Sequence, residues 1–237
     1  PLEESGMIPM TKTDQGILLQ GENISYSYSE KQPVLHDLNF DFQPGQLICI
    51  QGKAGTGKST LLRLLDGAYT DFSGSLQMDK IPVRNFELNS LRGQIGILLH
   101  QHDIFQGTLW ENITMGRENV SIEKVVELFQ KVSLSAYFST LPKGFDTELD
   151  PTGQRLPRQI IHKILLVRAL IGSPRLLLLE EPWSGMDSSI KSKVIALLQE
   201  YQSSTRVVVS NDEVFAATCD QVLLMTEDGT LVKSNIK

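Results

Sequence analysis

"CIQGKAGTGKSTLLRLL", residues 49–65, passes from a short apolar stretch through Gly52, Gly55 and Gly57 into a helical pattern. Glycines let successive backbone N–H groups turn to one side of a loop, where they can surround an anion. Lys58 and Ser59 follow at once, and Leu61, Leu62 and Leu65 then share one side of a helix. A plain glycine turn is the rival reading, but strand and helix both stand where a phosphate-binding loop requires them. Gly52, Lys53, Ala54, Gly55, Thr56, Gly57, Lys58, Ser59 and Thr60 are thus the candidate nucleotide contacts. Lys58 is expected to reach the β- and γ-phosphates, and the Ser59 hydroxyl to ligate Mg²⁺.

A nucleotide loop needs carboxylates from a neighbouring strand, and LLLLEEP, residues 176–182, supplies them. Strands of such sheets deliver side chains at their carboxyl ends, beside the ligand. Glu180 is placed to hold the water shell of Mg²⁺, and Glu181 to polarise an attacking water.

The rest of the chain reads as an α/β fold. QLICIQ (46–51), LLLLE (176–180), VVVS (207–210) and QVLLM (221–225) are short apolar runs, as expected of strands buried on both faces of a mainly parallel sheet. ILLQGENISYSY (17–28) and LHDLNFDF (35–42) are β-rich, the second alternating like a half-buried strand. Ile190, Val194, Leu197 and Leu198 recur at helical spacing, and EDGT (227–230) reads as a hairpin turn. Between His100 and Arg168 no strand signal interrupts the helical segments SIEKVVELFQKV and LSAYFSTL, so a helical sub-domain, about residues 100–168, is expected as an insertion. Residues 1–16 are polar and unpatterned and read as a linker.

The 237 residues carry a net charge of −6 and no basic run, which argues against nucleic acid as a partner. No apolar run approaches the roughly 20 residues that span a bilayer. Cys49 and Cys219 lie in apolar surroundings without metal-ligand spacing and read as reduced core thiols.

With these residues in place, the chain resembles the nucleotide-binding domain of an ABC transporter, of the exporter type. SLRGQIGILLHQHDIFQGTLWENITMG (90–116), GFDTELDP (144–151) and EPWSGMD (181–187) carry the likeness along nearly the whole chain. The resemblance implies a P-loop NTPase core with a mainly parallel sheet, an antiparallel β sub-domain and the inserted helical sub-domain. It implies ATP and Mg²⁺ as ligands, Tyr28 as the aromatic that stacks on adenine, and a domain over residues 17–237. It also implies a membrane-spanning domain N-terminal to the linker, a second nucleotide-binding domain in a homo- or heterodimer, and a place at the cytoplasmic face of a membrane. Trp110 falls where this family faces its membrane domain, so partial exposure is expected. A chromosome-maintenance ATPase of the same superfamily would need a long coiled-coil insertion that this chain lacks.

Several positions depart from the family's pattern. Its Leu-Ser-Gly-Gly-Gln signature falls on Leu156, Pro157, Arg158, Gln159 and Ile160, which lack the serine hydroxyl and glycine N–H groups that hold a partner's γ-phosphate. Pro157 is expected at the first position of a helix, where it is favoured, with Arg158 set against the helix dipole. Arg158 either reaches a γ-phosphate across the dimer or is simply solvated. The metal-linking glutamine falls on His100, with Gln101 next, and the switch histidine on Asn211, which can donate a hydrogen bond but carries no proton. A surface histidine and a turn asparagine are the plain alternatives for these two. The Walker B aspartate is Glu180. The expectation is an exporter's ATP-binding domain with slow hydrolysis, or a regulatory nucleotide-binding module with little or none.

Overall fold

The structure is a computed structural model that describes residues 6–28, 33–101, 103–118, 120–149 and 156–234. Its strands are β1 (Leu19–Tyr26), β2 (Leu35–Phe42), β3 (Leu47–Gln51), β4 (Ser73–Met78), β5 (Ile81–Pro82) and β6 (Ile95–Leu98). These are followed by β7 (Gly107–Thr108), β8 (Glu148–Leu149), β9 (Leu176–Glu180), β10 (Thr205–Val209), β11 (Gln221–Met225) and β12 (Leu231–Lys233). The helices are α1 (Lys58–Leu65), α2 (Leu88–Arg92), α3 (Leu109–Thr114), α4 (Ile122–Lys131), α5 (Ser135–Phe138), α6 (Arg158–Leu170), α7 (Ser188–Glu200) and α8 (Glu213–Ala216). Two compact units result, one of residues 1–97, 175–180 and 201–237, the other of 98–174 and 181–200.

The first unit holds a six-stranded sheet in the order β12-β11-β3-β10-β9-β6. The P-loop strand β3 pairs in parallel with both β10 and β11, and β10 with β9. These central strands are apolar on both faces because both faces are covered: Leu47–Ile50, Leu176–Leu179 and Val207–Val209 are all buried. A second, four-stranded sheet runs β2-β1-β4-β5 with antiparallel pairing. In β2, Leu38, Phe40 and Phe42 are buried with exposed residues between them, as the alternation requires, while the buried Leu35 lies beyond an irregularity at His36 and Asp37.

The stretch read as a linker is tied to this unit over its described part. Ile8 bridges to Phe86, Met10 is buried, and the buried Arg175 donates to the Thr11 carbonyl (3.0 Å), the Gln15 carbonyl (2.7 Å) and the Asp79 carboxylate (2.7 Å). Of the two thiols, both free, Cys49 is buried, whereas Cys219 is only half-buried, so the core placement holds for the first alone.

The second unit is mainly helical, but not wholly. Gly107–Thr108 pair antiparallel with Glu148–Leu149, a two-residue ribbon that corrects the expectation of an unbroken helical stretch. The pairing joins residues 40 and 42 apart, so no local pattern announces it. Thr108 then caps α3 in a reciprocal box with Glu111. The fully buried Asn112 binds the backbone of Phe105 in both directions, at 2.9 and 3.0 Å, and Arg168 of α6 donates to its carbonyl and its side-chain oxygen. Burial lowers the Arg168 pKa to about 10. Helix α6 is buried on nearly every side rather than along one stripe, and even Lys163 is buried, its Nζ donating to the Ser133 carbonyl at 3.0 Å. Trp110 is half-buried, its ring edge-on to Phe145 at 5.4 Å.

Candidate nucleotide-binding site

The carboxyl ends of β3, β9 and β10 lie side by side, so Glu180 and the residues that follow β3 and β10 gather at one end of the sheet. After β3 the loop runs from Gly52 to Gly57, the N-cap of α1. Gly52, Gly55 and Gly57 have φ of 142°, 84° and 96°, a region that a side chain strains to adopt. At Gly57 a Cβ would also stand 2.9 Å from the Val34 carbonyl oxygen. Lys58 folds its ammonium over the loop, donating to the Gly52 carbonyl at 2.7 Å and to the Lys53 carbonyl. The outer side chain of Lys53 pairs with Glu227 in the β11–β12 turn.

Ser59 Oγ donates to Glu180 Oε1 at 2.5 Å, which brings the first turn of α1 to the end of β9. A hydroxyl and a carboxylate, both hard oxygen donors, fit Mg²⁺, which takes few protein ligands and completes its shell with water and phosphate. Among the described residues there is no cluster of three or more His, Cys, Asp or Glu that would hold a metal by itself.

Tyr28 and Thr60 share a hydrogen bond at 2.9 Å. Tyr28 also meets Tyr26 and Tyr69 edge-on, at 5.2 and 5.7 Å, while Tyr26 and Tyr69 stack at 4.9 Å. This aromatic trio adjoins a cleft lined by Ser25, Ser27, Asp71, Phe72 and Ser73. Burial raises the Tyr28 phenol pKa, and the Thr60 hydrogen bond opposes that shift.

Asn211, two residues beyond β10, turns its amide onto the loop. Its Oδ1 accepts from Gly52 N at 2.9 Å and its Nδ2 donates to the Gly52 carbonyl at 3.2 Å. Nothing in the sequence around Asn211 signals this two-point contact, which spans 159 positions.

The remaining candidates belong to the second unit. Glu181 has φ 45°, a left-handed conformation for a residue with a side chain, and its carbonyl accepts from Ser184 N at 2.9 Å. His162 of α6 places Nε2 3.1 Å from that same carbonyl, and burial lowers the imidazole pKa. The sequence gives His162 no distinguishing signal, since it reads as one polar position in an apolar helix. His100 and Gln101 are exposed.

The signature position is corrected in one respect. Pro157 is the N-cap, not the first helical residue; the N–H groups of Ile160 and Ile161 bond to its carbonyl and α6 begins at Arg158. No side chain caps the helix. Arg158 is neither merely solvated nor without an anion, for its Nη1 lies 3.1 Å from Asp103 Oδ2. Leu156, Gln159 and Ile160 are half-buried, and His100, Arg158, Gln159, His162 and Ser184 line a cavity of about 270 Å³.

The family pattern described as "ABC transporter" matches residues 35–184. The chain is 32% identical over 91% of its length to "Uncharacterized ABC transporter ATP-binding protein YfiB" of Bacillus subtilis, and covers 37% of that protein. It is 32% identical over 85% of its length to a "Probable ABC transporter ATP-binding/permease protein" of Haemophilus influenzae, again covering 37% of the relative. The solved "Structure of a bacterial Atm1-family ABC exporter with ATP bound" superposes with a TM-score of 0.88 and 24% identity, covering 98% of this chain and 41% of that one. The chain thus spans little more than a third of the length of these curated relatives. Among the described residues no helix is long and apolar enough to cross a membrane. With the P-loop strand, its carboxylate partner and these matches together, the chain belongs to the ABC transporter family, as its ATP-binding P-loop domain.

Proposed function

We propose that this chain is the nucleotide-binding part of an exporter and couples ATP binding, more than ATP turnover, to movement of a substrate across a membrane. The observation that carries the reading is the Lys58 ammonium over the glycine loop with Ser59 and Glu180 in contact beside it. The loop N–H groups and Lys58 bind the phosphates, and Tyr28 stacks on adenine. Ser59 holds Mg²⁺ directly and Glu180 through its water shell; the ion, when bound, neutralises phosphate charge. The family resemblance gives Glu181 the role of polarising the attacking water.

Slow turnover follows from what the other positions lack. Pro157–Ile160 offer a partner's γ-phosphate neither a hydroxyl nor glycine N–H groups, and His100 and Asn211 stand where glutamine and histidine would assist. Loss of one preorganised donor costs about 10²–10³ in rate. The engagement of Asn211 by Gly52 favours the stronger form of this reading, a regulatory module that closes on ATP and hydrolyses almost none. The relatives described as ATP-binding/permease proteins support a membrane domain in the same polypeptide, a second nucleotide-binding domain as partner, and a place on the cytoplasmic face of a membrane.

Calorimetry with ATP·Mg²⁺ tests the binding site: Lys58→Ala is expected to lose most of the affinity, and equal affinity in both proteins overturns it. Turnover of several per second, a rate within the ordinary enzyme range, that Glu181→Gln abolishes would overturn the claim of slow hydrolysis.

A further inference from the structure

Gly52 opens the phosphate loop and is held from several directions. It is buried, its φ is 142°, and a Cβ there would lie 2.4 Å from the Met225 carbonyl oxygen. Its carbonyl accepts from Lys58 Nζ and Asn211 Nδ2, and its N–H donates to Asn211 Oδ1. These partners fix which way the Asn211 amide points, since only the oxygen can accept from the N–H and only the nitrogen can donate to the carbonyl.

Asn211 is in turn held by its neighbours. Ser210 N donates to the Ile50 carbonyl at 3.1 Å, and the Ser210 carbonyl accepts from Cys49 Sγ at 3.4 Å. Asp212 caps α8 by accepting from Phe215 N at 2.8 Å. The backbone on both sides of Asn211 is therefore anchored, one side to the P-loop strand itself. Swinging the amide out to a terminal phosphate would leave the buried Gly52 N–H without its acceptor, a loss that buried donors do not tolerate cheaply.

We propose that Asn211 is a positioning residue that fixes the first residue of the phosphate loop and does not read the γ-phosphate. This rests on the proposed seating of nucleotide in the loop. A clamp on the loop acts on whatever the loop N–H groups grip, and those groups grip diphosphates and triphosphates alike. A sensor of the γ-phosphate would act on triphosphates only.

The test titrates ADP·Mg²⁺ and ATP·Mg²⁺ into wild type and Asn211→Ala by calorimetry. Two hydrogen bonds are at stake, so both affinities are expected to fall by the same factor, about tenfold. A fall for ATP with ADP unchanged overturns the proposal. Amide hydrogen exchange at Gly52 without nucleotide provides the second readout, and faster exchange in the variant is expected. Unchanged exchange in a folded variant overturns the clamp. Where Asn211→Ala does not fold, wild type decides: Gly52 N–H stays equally protected with ADP and with a non-hydrolysable ATP analogue, and loss of protection only in the triphosphate state overturns the proposal. Failure of wild type to bind either nucleotide overturns the seating in the loop and, with it, the indifference to the γ-phosphate; Gly52 exchange then decides the clamp alone.

Discussion

Arg158, the first residue of α6, is paired with Asp103, a residue 55 positions earlier, at 3.1 Å. The pair answers a local conflict, because a cation at a helix start opposes the dipole and a carboxylate beside it relieves that. The Arg158 side chain is 80% exposed, which keeps the pair weak.

Arg158→Ala is therefore expected to change unfolding stability by less than about 0.5 kcal/mol, read by urea denaturation. ATP-dependent self-association, read by light scattering, is expected to be the same for both proteins. A clear loss of association in the variant would show that Arg158 leaves Asp103 for a partner's nucleotide.

A second expectation concerns acid. Burial lowers the His162 pKa in the folded protein, with nearby His100 adding to the effect. The unfolded chain then binds the proton more readily, so stability contributed by the neutral ring is present above the unfolded value near 6.5 and is lost as pH falls below it. Thermal melts between pH 7.5 and 5 are expected to show a smaller decline for His162→Gln than for wild type. Parallel declines would remove His162 as the cause.

Glu180→Ala is expected to weaken Mg²⁺ affinity in the presence of nucleotide by about 10–100-fold, the usual effect of losing an outer-sphere partner. Binding of ATP without metal is expected to change far less. Titrating Mg²⁺ against a fluorescent ATP analogue separates the two.

The loop glycines differ in why they are glycine. Gly55 has φ 84° with nothing within 4 Å of a Cβ, so Gly55→Ala costs only the backbone penalty, about 1 kcal/mol. Gly57 has φ 96° and would press a Cβ on the Val34 carbonyl and on Leu35, so Gly57→Ala is expected to cost upwards of about 2 kcal/mol. Urea midpoints of the two variants in the same buffer test the order.

Much of this architecture was legible in the sequence because its strands are of two readable kinds. Runs such as Leu176–Leu179 are buried on both faces, and Leu35–Phe42 alternates, so each carries its environment in its residues. β4, with the composition SGSLQM, has too few apolar residues to declare itself, and the β7–β8 ribbon is two residues long on each side. In the site, the loop motif picks out Lys58 and Ser59, and the apolar run Leu176–Leu179 picks out the carboxylate at its end, Glu180. The partners of Arg158 and Asn211 were not, since side chains that meet across 55 or 159 positions leave no local trace. Pro157 stands one residue before its expected place, a shift no larger than the usual uncertainty of a helix boundary.

Arg175 stands one residue before β9 and grips the chain at Thr11 and Gln15 with separate nitrogens. In mechanical terms this is a shear joint rather than a zipper. A bond geometry of this kind resists a pull along residues 11–16 with both contacts at once, and it connects that segment to β9, whose far end carries Glu180. Residues 11–16 are thus tied through Arg175 to the strand that ends at Glu180, in the same sheet whose β3 leads into the phosphate loop.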